Sequence, residues 1–98
     1  MKYGLDEKLY NEIIFVLTSL KFVKKTIIFG SRARGDYKYN SDIDLAVDIE
    51  THDELLKVMD SFAEINTIFK FDIVNINRIE NEKFYNNIIN EGIEIFPG

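Results

Sequence analysis

The amino-acid sequence predicts an α/β fold in which a small β-sheet of three to four strands is flanked by helices. Apolar residues recur at steps of three and four between Asp6 and Leu20, which is the spacing of one helix face. Thr26–Phe29 is a short, continuous apolar run, typical of a buried central strand. From Asp42 to Ile49 apolar residues largely alternate with polar ones, as in a strand with one buried face. Helical and strand patterns therefore alternate along the chain.

The composition is that of a folded, acidic domain. Of the 98 residues, 46% are hydrophobic and 13% aromatic, so we expect one domain with its own core, covering residues 1–98. The formal net charge of -5 argues against direct binding to nucleic acid. No window holds about 18 consecutive apolar residues, so no membrane span is expected. The absence of cysteine excludes disulfides and thiolate zinc sites. The Met1–Glu7 segment has acidic residues where a signal peptide would need its apolar core. Both observations favour a cytoplasmic protein.

The first half of the chain is expected to contain two helices. Asp6–Leu20 predicts the first, and Ile14 and Phe15 either extend its core face or form an exposed patch for a partner. Ser31 to about Gly35 predicts a short second helix that ends at the glycine. Because about a dozen residues separate the first two strands, we expect the segment between them to be functional.

The second half is expected to contain two helices and two strands. Thr51 and Glu54 fit a capping box that begins the third helix. The buried stripe expected on this helix comprises Leu55, Leu56, Met59, Phe62 and Ile65. Lys70–Ile76 predicts the third strand, Glu80–Asn90 the last helix, and Ile93–Phe96 a final edge strand. The side chains expected to point inward from the last helix are Ile79, Phe84, Ile88 and Ile89.

Two groups of residues around the first two strands suggest a site for a metal and a phosphate. Asp42 and Asp44 lie two apart on a predicted strand, so their carboxylates point to the same side. Anionic oxygen ligands without nearby histidine or cysteine suit a hard cation such as Mg²⁺. Gly30 allows a tight turn after the first strand, and the backbone amides and hydroxyl at Ser31 could bind an anion. Together the two groups predict a clamp for a metal–triphosphate complex.

Asp72 is the third candidate carboxylate. It lies on the third predicted strand, on the same face as the apolar Val74 and Ile76, and this strand should neighbour the second. We expect it to be buried, and a buried carboxylate requires a cation or an arginine partner. It either pairs with Arg32, Arg34 or Arg78, or completes a metal-binding set with Asp42 and Asp44. We favour the second alternative, because the other two carboxylates are present.

The order of these motifs resembles a known family. Gly30-Ser31, Ala33-Arg34-Gly35 and Ser41-Asp42-x-Asp44-Leu45 are similar to the signature of the minimal nucleotidyltransferase proteins, within the DNA polymerase beta-like nucleotidyltransferase superfamily. With Asp72 the resemblance spans Ile27–Ile76, and the C-terminal segment also resembles the ending of those small proteins. It implies the mixed β-sheet of the polymerase beta-like fold.

The resemblance also implies a reaction, in which a hydroxyl attacks the α-phosphorus of ATP and pyrophosphate leaves. Two Mg²⁺ ions would neutralise charge at the attacking and leaving oxygens. Asp42 and Asp44 would hold both ions, and Asp72 would complete the site nearer the attacking hydroxyl. Gly30 and Ser31 would hold the terminal phosphates.

Arg34 and Arg32 have two predicted roles. They would bind the departing pyrophosphate as nucleotide-binding residues, or either would pair with Asp36 in a structural role.

The acceptor is implied only by the resemblance. Small stand-alone members of the family act as antitoxins beside a HEPN-domain RNase toxin, and some are reported to transfer AMP to a toxin tyrosine. The first hypothesis is therefore a protein adenylyltransferase antitoxin whose partners are a HEPN toxin and ATP. The alternatives are an antitoxin that only masks the toxin, and a transferase acting on RNA or a small molecule.

Overall fold

The structure, a computed structural model, describes all residues of the chain, 1–98. Its elements are α1 (Glu7–Ser19), β1 (Lys25–Phe29), α2 (Gly30–Arg34), β2 (Ile43–Asp48), α3 (His52–Ala63), β3 (Phe71–Asn75), a 3-10 turn (Ile76–Arg78), α4 (Glu82–Glu91) and β4 (Ile93–Phe96). None of the helices has the length and apolar character needed to cross a membrane.

The four strands form one mixed sheet in the order β3-β2-β1-β4. β1 pairs antiparallel with both β2 and β4, whereas β2 and β3 are parallel. The predicted α/β fold, the central position of β1 and the edge position of β4 are thus confirmed. A parallel β2–β3 pair needs a crossover connection, and α3 supplies it.

Apolar side chains fill both sides of the sheet. The larger core joins α1 and α3 to one face, and contains Ile43, Leu45 and Val47 of β2. The smaller core lies on the opposite face, under α4, and contains Ala46 of β2 together with Ile88 of α4. Because side chains alternate along a strand, Asp44 shares the α4 face with Ala46. This places the candidate site on the side of the sheet with less helix cover.

Local side-chain and glycine interactions fix the ends of three helices, and two of these, at Thr51 and Gly35, were predicted from the sequence. Asp6 caps α1 through a 2.7 Å hydrogen bond from the amide of Leu9. Thr51 and Glu54 form the predicted capping box of α3. Gly35 ends α2 in the left-handed conformation with φ of 94°. Each of these agrees with the local chemistry expected at a helix end.

Part of the expected burial is wrong. On α3 the buried residues are Val58 and Phe62, whereas Leu56 and Met59 are each 45% exposed. The sheet contacts one face of this helix, and positions 56 and 59 lie outside that face. On α4 only Ile88 is buried, and Ile89 is 47% exposed.

The two alternatives for the apolar pair on α1 separate in the structure. Ile14 packs against the larger core, whereas the side chain of Phe15 is 72% exposed. Helix α1 therefore presents one large aromatic ring to solvent.

Candidate active site

The candidate site is built where β1 ends and α2 begins. Gly30 opens α2 with φ of 72°, a backbone conformation that residues with a Cβ rarely adopt. A Cβ at this position would lie closer than 3.0 Å to Oδ2 of Asp44, on the neighbouring strand. No side chain caps the first amides of α2, and no helical carbonyl can accept from them. Glycine therefore lets the Asp44 carboxylate lie directly beside a turn that carries free N–H donors.

Asp44 and Asp72 are direct neighbours across the parallel pair of β2 and β3. They are partners in the register, so both lie on the α4 face, on strands that are about 4.8 Å apart. Burial first, and then the nearby carboxylates of Asp72 and Asp42, raise the pKa of Asp44 to about 6. Arg34 and Arg32 oppose this rise only in part. The site thus concentrates negative charge that a bound cation would relieve.

Asp42 and Asp72 are both exposed, whereas we expected from the sequence that Asp72 would be buried. Asp42 lies one residue before β2, at the open end of the strand. Asp72 is not buried on an apolar face, because β3 is the outer strand of the sheet and leaves the side chain accessible. Neither carboxylate forms an ion pair with an arginine of the chain. The alternative in which an arginine neutralises Asp72 is therefore wrong.

The donor set fits a hard divalent cation in its chemistry. All three side chains offer carboxylate oxygens, and the raised pKa of Asp44 shows that its charge is incompletely neutralised by the protein. No three His, Asp or Glu side chains stand close enough together to hold a metal as they are placed. Asp44 and Asp72 are register partners on adjacent strands, and Asp42 lies two residues before Asp44.

Arg32 occupies a position that sequence reasoning did not foresee. Its side chain is buried, 1% exposed, although it lies in a short helix. The guanidinium donates to the carbonyl of Tyr3 at 3.0 Å and to that of Tyr39 at 3.3 Å. It donates twice to the carbonyl of Ser41, from Nε at 3.2 Å and from Nη2 at 2.8 Å. Four of its five N–H groups are thus bound to backbone oxygens.

Two aromatic rings complete the surroundings of Arg32. Its Cζ lies 5.2 Å from the ring centre of Tyr37 and 4.7 Å from that of Phe69. These carbonyls and rings enclose the guanidinium, which argues against Arg32 as a phosphate ligand. We call this set the Arg32 cage, and it joins the N-terminal turn to the segment before β2. No spacing rule in the sequence would have found these backbone acceptors, since they lie far apart along the chain.

Arg34, by contrast, remains at the surface of the site. Its Nε lies 3.3 Å from Oδ2 of Asp36, which is the structural pairing considered from sequence. Its Nη1 lies 3.7 Å from Oε1 of Glu91 on α4. Both ion pairs are solvent-exposed and therefore weak, so the guanidinium can be drawn to a phosphate. Its charge already lowers the pKa of Asp44, which places it within electrostatic reach of the carboxylates.

Other polar residues singled out along the chain have no place in the site. His52 is an exposed residue in the first turn of α3. Asp48 lies at the far end of β2 and accepts a 2.8 Å hydrogen bond from the side chain of Asn77. The side chain of Tyr39 is exposed, with only its carbonyl engaged.

Comparison with known proteins places these features in a family. The family described as "Polymerase beta, Nucleotidyltransferase" matches residues 11–97. The Methanocaldococcus jannaschii protein named "Putative protein adenylyltransferase MJ0604" is 34% identical over 88 residues, which cover 87% of this chain and 83% of that protein.

Two solved structures share the fold. One is described as "Crystal structure of the toxin-antitoxin with AMP-PNP"; it has a TM-score of 0.69 and 21% identity, and the match covers 87% of this chain and 70% of that one. The other is a "putative nucleotidyltransferase" from Sulfolobus solfataricus, with a TM-score of 0.55, 25% identity, and coverage of 89% and 76% respectively. The four-stranded mixed sheet is consistent with the matched family. The family match over residues 11–97 and the 34% identity to the M. jannaschii relative show that the chain belongs to the polymerase beta nucleotidyltransferase family.

Proposed function

We propose that this protein is an antitoxin that acts as a protein adenylyltransferase, transferring AMP from ATP to a hydroxyl of a cognate toxin. Support comes from the family, from the name of the M. jannaschii relative, and from the fold shared with a toxin–antitoxin structure that contains AMP-PNP. The need for ATP agrees with the predicted cytoplasmic location.

The observation that carries the proposal is the placement of Asp44. Its carboxylate lies against Gly30 and opposite Asp72, and its pKa is raised to about 6 by burial and by its acidic neighbours. A structural side chain at this position would gain nothing from such a charge arrangement. A group that binds a cation does gain, because the cation removes the unfavourable repulsion.

The residues take the following roles in the transfer. Asp42, Asp44 and Asp72 would hold Mg²⁺, which would supply neutralising charge for the triphosphate. The free amides after Gly30, with the Ser31 hydroxyl, would bind the terminal phosphates, and Arg34 would turn from Asp36 towards the departing pyrophosphate.

The transfer forms one bond to phosphorus, breaks another and moves one proton. The acceptor oxygen forms a bond to the α-phosphorus, and the bond from that phosphorus to the bridging oxygen breaks. Pyrophosphate leaves with the electron pair of the broken bond. Asp72, which is exposed on the outer strand, would accept the proton of the acceptor hydroxyl.

The acceptor in this proposal is a tyrosine of a HEPN-domain RNase toxin, as the family resemblance implies. The net charge of -5 suits docking on a basic RNase, since opposite charges steer association. The same charge disfavours RNA as an acceptor held by phosphate contacts alone.

A second candidate is an antitoxin that masks the toxin without modifying it. The acidic surface favours this alternative as much as the first. It leaves the convergence of Asp44 and Asp72 without a purpose, and for that reason we rank it second.

The test is a transfer assay with purified protein, Mg²⁺, ATP labelled at the α-phosphate, and the product of the neighbouring gene. We expect label on that protein, lost in Asp44→Asn and retained in Asp60→Asn, an exposed aspartate on α3, which packs on the other face of the sheet. Toxin neutralisation without label would support masking, and label on RNA would support an RNA-modifying enzyme.

A further inference from the structure

The outer edge of β3 has unpaired backbone groups next to the proposed site. β3 is the last strand of the sheet, so no strand covers its outer side. The amide of Ile43 donates to the carbonyl of Lys70 at 2.8 Å, so the backbone carbonyl of Lys70 faces β2. Because the direction alternates along a strand, the backbone groups of Phe71 and Ile73 point away from the sheet. This edge can accept another strand.

A groove runs along that edge. We call it the β3 groove; its volume is about 650 Å³. Its lining includes Leu55 of α3, Ile73 and Val74 of β3, Phe84 of α4, and Arg78. The apolar side chains come from both faces of the sheet, so a chain lying on the edge would find apolar contacts on each side. Arg78 is exposed and forms no ion pair within the protein.

The β3 groove begins one residue beyond Asp72 on the same strand, at Ile73. Val74 lines the groove, and Asp72 lies two residues earlier on the same strand and the same face. Two residues along a strand span about 7 Å. A polypeptide bound along the edge would therefore pass Asp72 within the length of one side chain.

We propose that the β3 groove docks an extended segment of the acceptor protein, which pairs with Phe71 and Ile73 as an added strand. This inference rests on the proposed function and specifies how its protein substrate is bound. The main-chain hydrogen bonds hold the segment, and an apolar side chain of the segment enters the groove. The acceptor hydroxyl then lies about two residues from that apolar anchor, beside Asp72. Arg78 would bind an acidic residue of the same segment.

The charges of the chain disfavour a second copy as the occupant. Pairing of two copies through this edge would bring the Asp72 carboxylates onto one continuous sheet and join two chains of net charge -5. Like charges in such an arrangement are destabilising. A segment of a different protein that lacks this net negative charge meets no such repulsion.

The test compares neighbouring leucines on α3. Leu55→Glu places a charge in the β3 groove, whereas Leu56→Glu changes an exposed leucine outside it. Arg78→Ala removes the groove cation without touching the core. We expect Leu55→Glu and Arg78→Ala to raise KM for the acceptor protein by about tenfold, the effect of losing one good contact. Leu56→Glu should leave this KM unchanged, and Mg–ATP affinity should be unchanged in all three.

Amide hydrogen exchange on the native chain gives a second readout. On addition of the acceptor protein, exchange at Phe71 and Ile73 should slow, because their outward amides become hydrogen-bonded. Transfer with an unchanged KM in both groove variants and no protection at β3 would overturn the docking site while leaving the proposed function intact. Absence of any transfer by the native protein would overturn the proposed function and this inference with it.

Discussion

The most informative perturbation is Gly30→Ala, because the chain provides its own control. Gly30 and Gly35 both have positive φ, at 72° and 94°. An alanine in the left-handed conformation is less stable by about 1–2 kcal/mol at either position. A Cβ at position 35 meets nothing within 4 Å, whereas one at position 30 falls closer than 3.0 Å to Oδ2 of Asp44. Only Gly30→Ala therefore displaces the Asp44 carboxylate.

The expected sizes follow from these contacts. Both variants should melt lower by roughly 4–16 °C, since about 1 kcal/mol shifts the melting temperature of a domain this size by 4–8 °C. To reach an ordinary contact distance, the Asp44 carboxylate must move by up to about 1 Å in Gly30→Ala. A displacement of that size in a reacting group can lower the rate about 100-fold. We expect that loss in Gly30→Ala and near-native transfer in Gly35→Ala.

The assays are thermal unfolding by circular dichroism and AMP transfer well below both melting temperatures. Isothermal titration with Mg–ATP shows whether binding or turnover is lost. If both variants melt alike and transfer AMP equally fast, the position of Asp44 against Gly30 has no part in catalysis.

Three further predictions concern charge and burial. Asp72→Asn should lower the pKa of Asp44 from about 6, because one of the carboxylates that raise it is removed; a ¹³C carboxyl titration measures this. Since the folded-state pKa of Asp44 lies above its unfolded value of 3.8, ionising it opposes folding increasingly between pH 4 and 6. Asp44→Asn should therefore raise the free energy of unfolding at pH 7.5, and this gain should vanish below pH 3.8; equal urea midpoints for the two proteins at pH 7.5 would contradict it. Arg32→Ala should lower the free energy of unfolding by at least about 2 kcal/mol, because it removes a buried side chain and leaves the part-buried carbonyls of Tyr3 and Ser41 without these donors. A loss within about 0.5 kcal/mol would show that these contacts of Arg32 are unimportant.

Local signals made most of the fold predictable. The run at β1, the alternation in β2 and the capping box at Thr51 each depend on residues close together in sequence, and all were correct. Burial on α3 was predicted less well, because apolar spacing does not show how a helix is rotated on its sheet. Leu56 belongs to an apolar run but faces solvent. The edge position of β3, which exposes Asp72, depends on strand order and has no local signal.

The candidate site was predictable to the extent that it follows strand geometry. The sequence predicted that β3 would neighbour β2, and in the parallel pair that they form, Asp44 and Asp72 are register partners. The role of Arg32 was not predictable, since its acceptors are backbone carbonyls as distant in sequence as Tyr3. A motif identifies a side chain by type, whereas its hydrogen-bond partners are determined by the tertiary fold.

The central claim is that Asp44 and Asp72 bind a cation and enable AMP transfer to a protein hydroxyl. The most direct measurement is mass spectrometry of the neighbouring-gene product after incubation with this protein, ATP and Mg²⁺. We expect an added AMP on a hydroxyl residue with the native chain and with Asp60→Asn, but none with Asp44→Asn, Asp72→Asn or EDTA. An acceptor modified equally by the native chain and by Asp44→Asn would contradict the central claim.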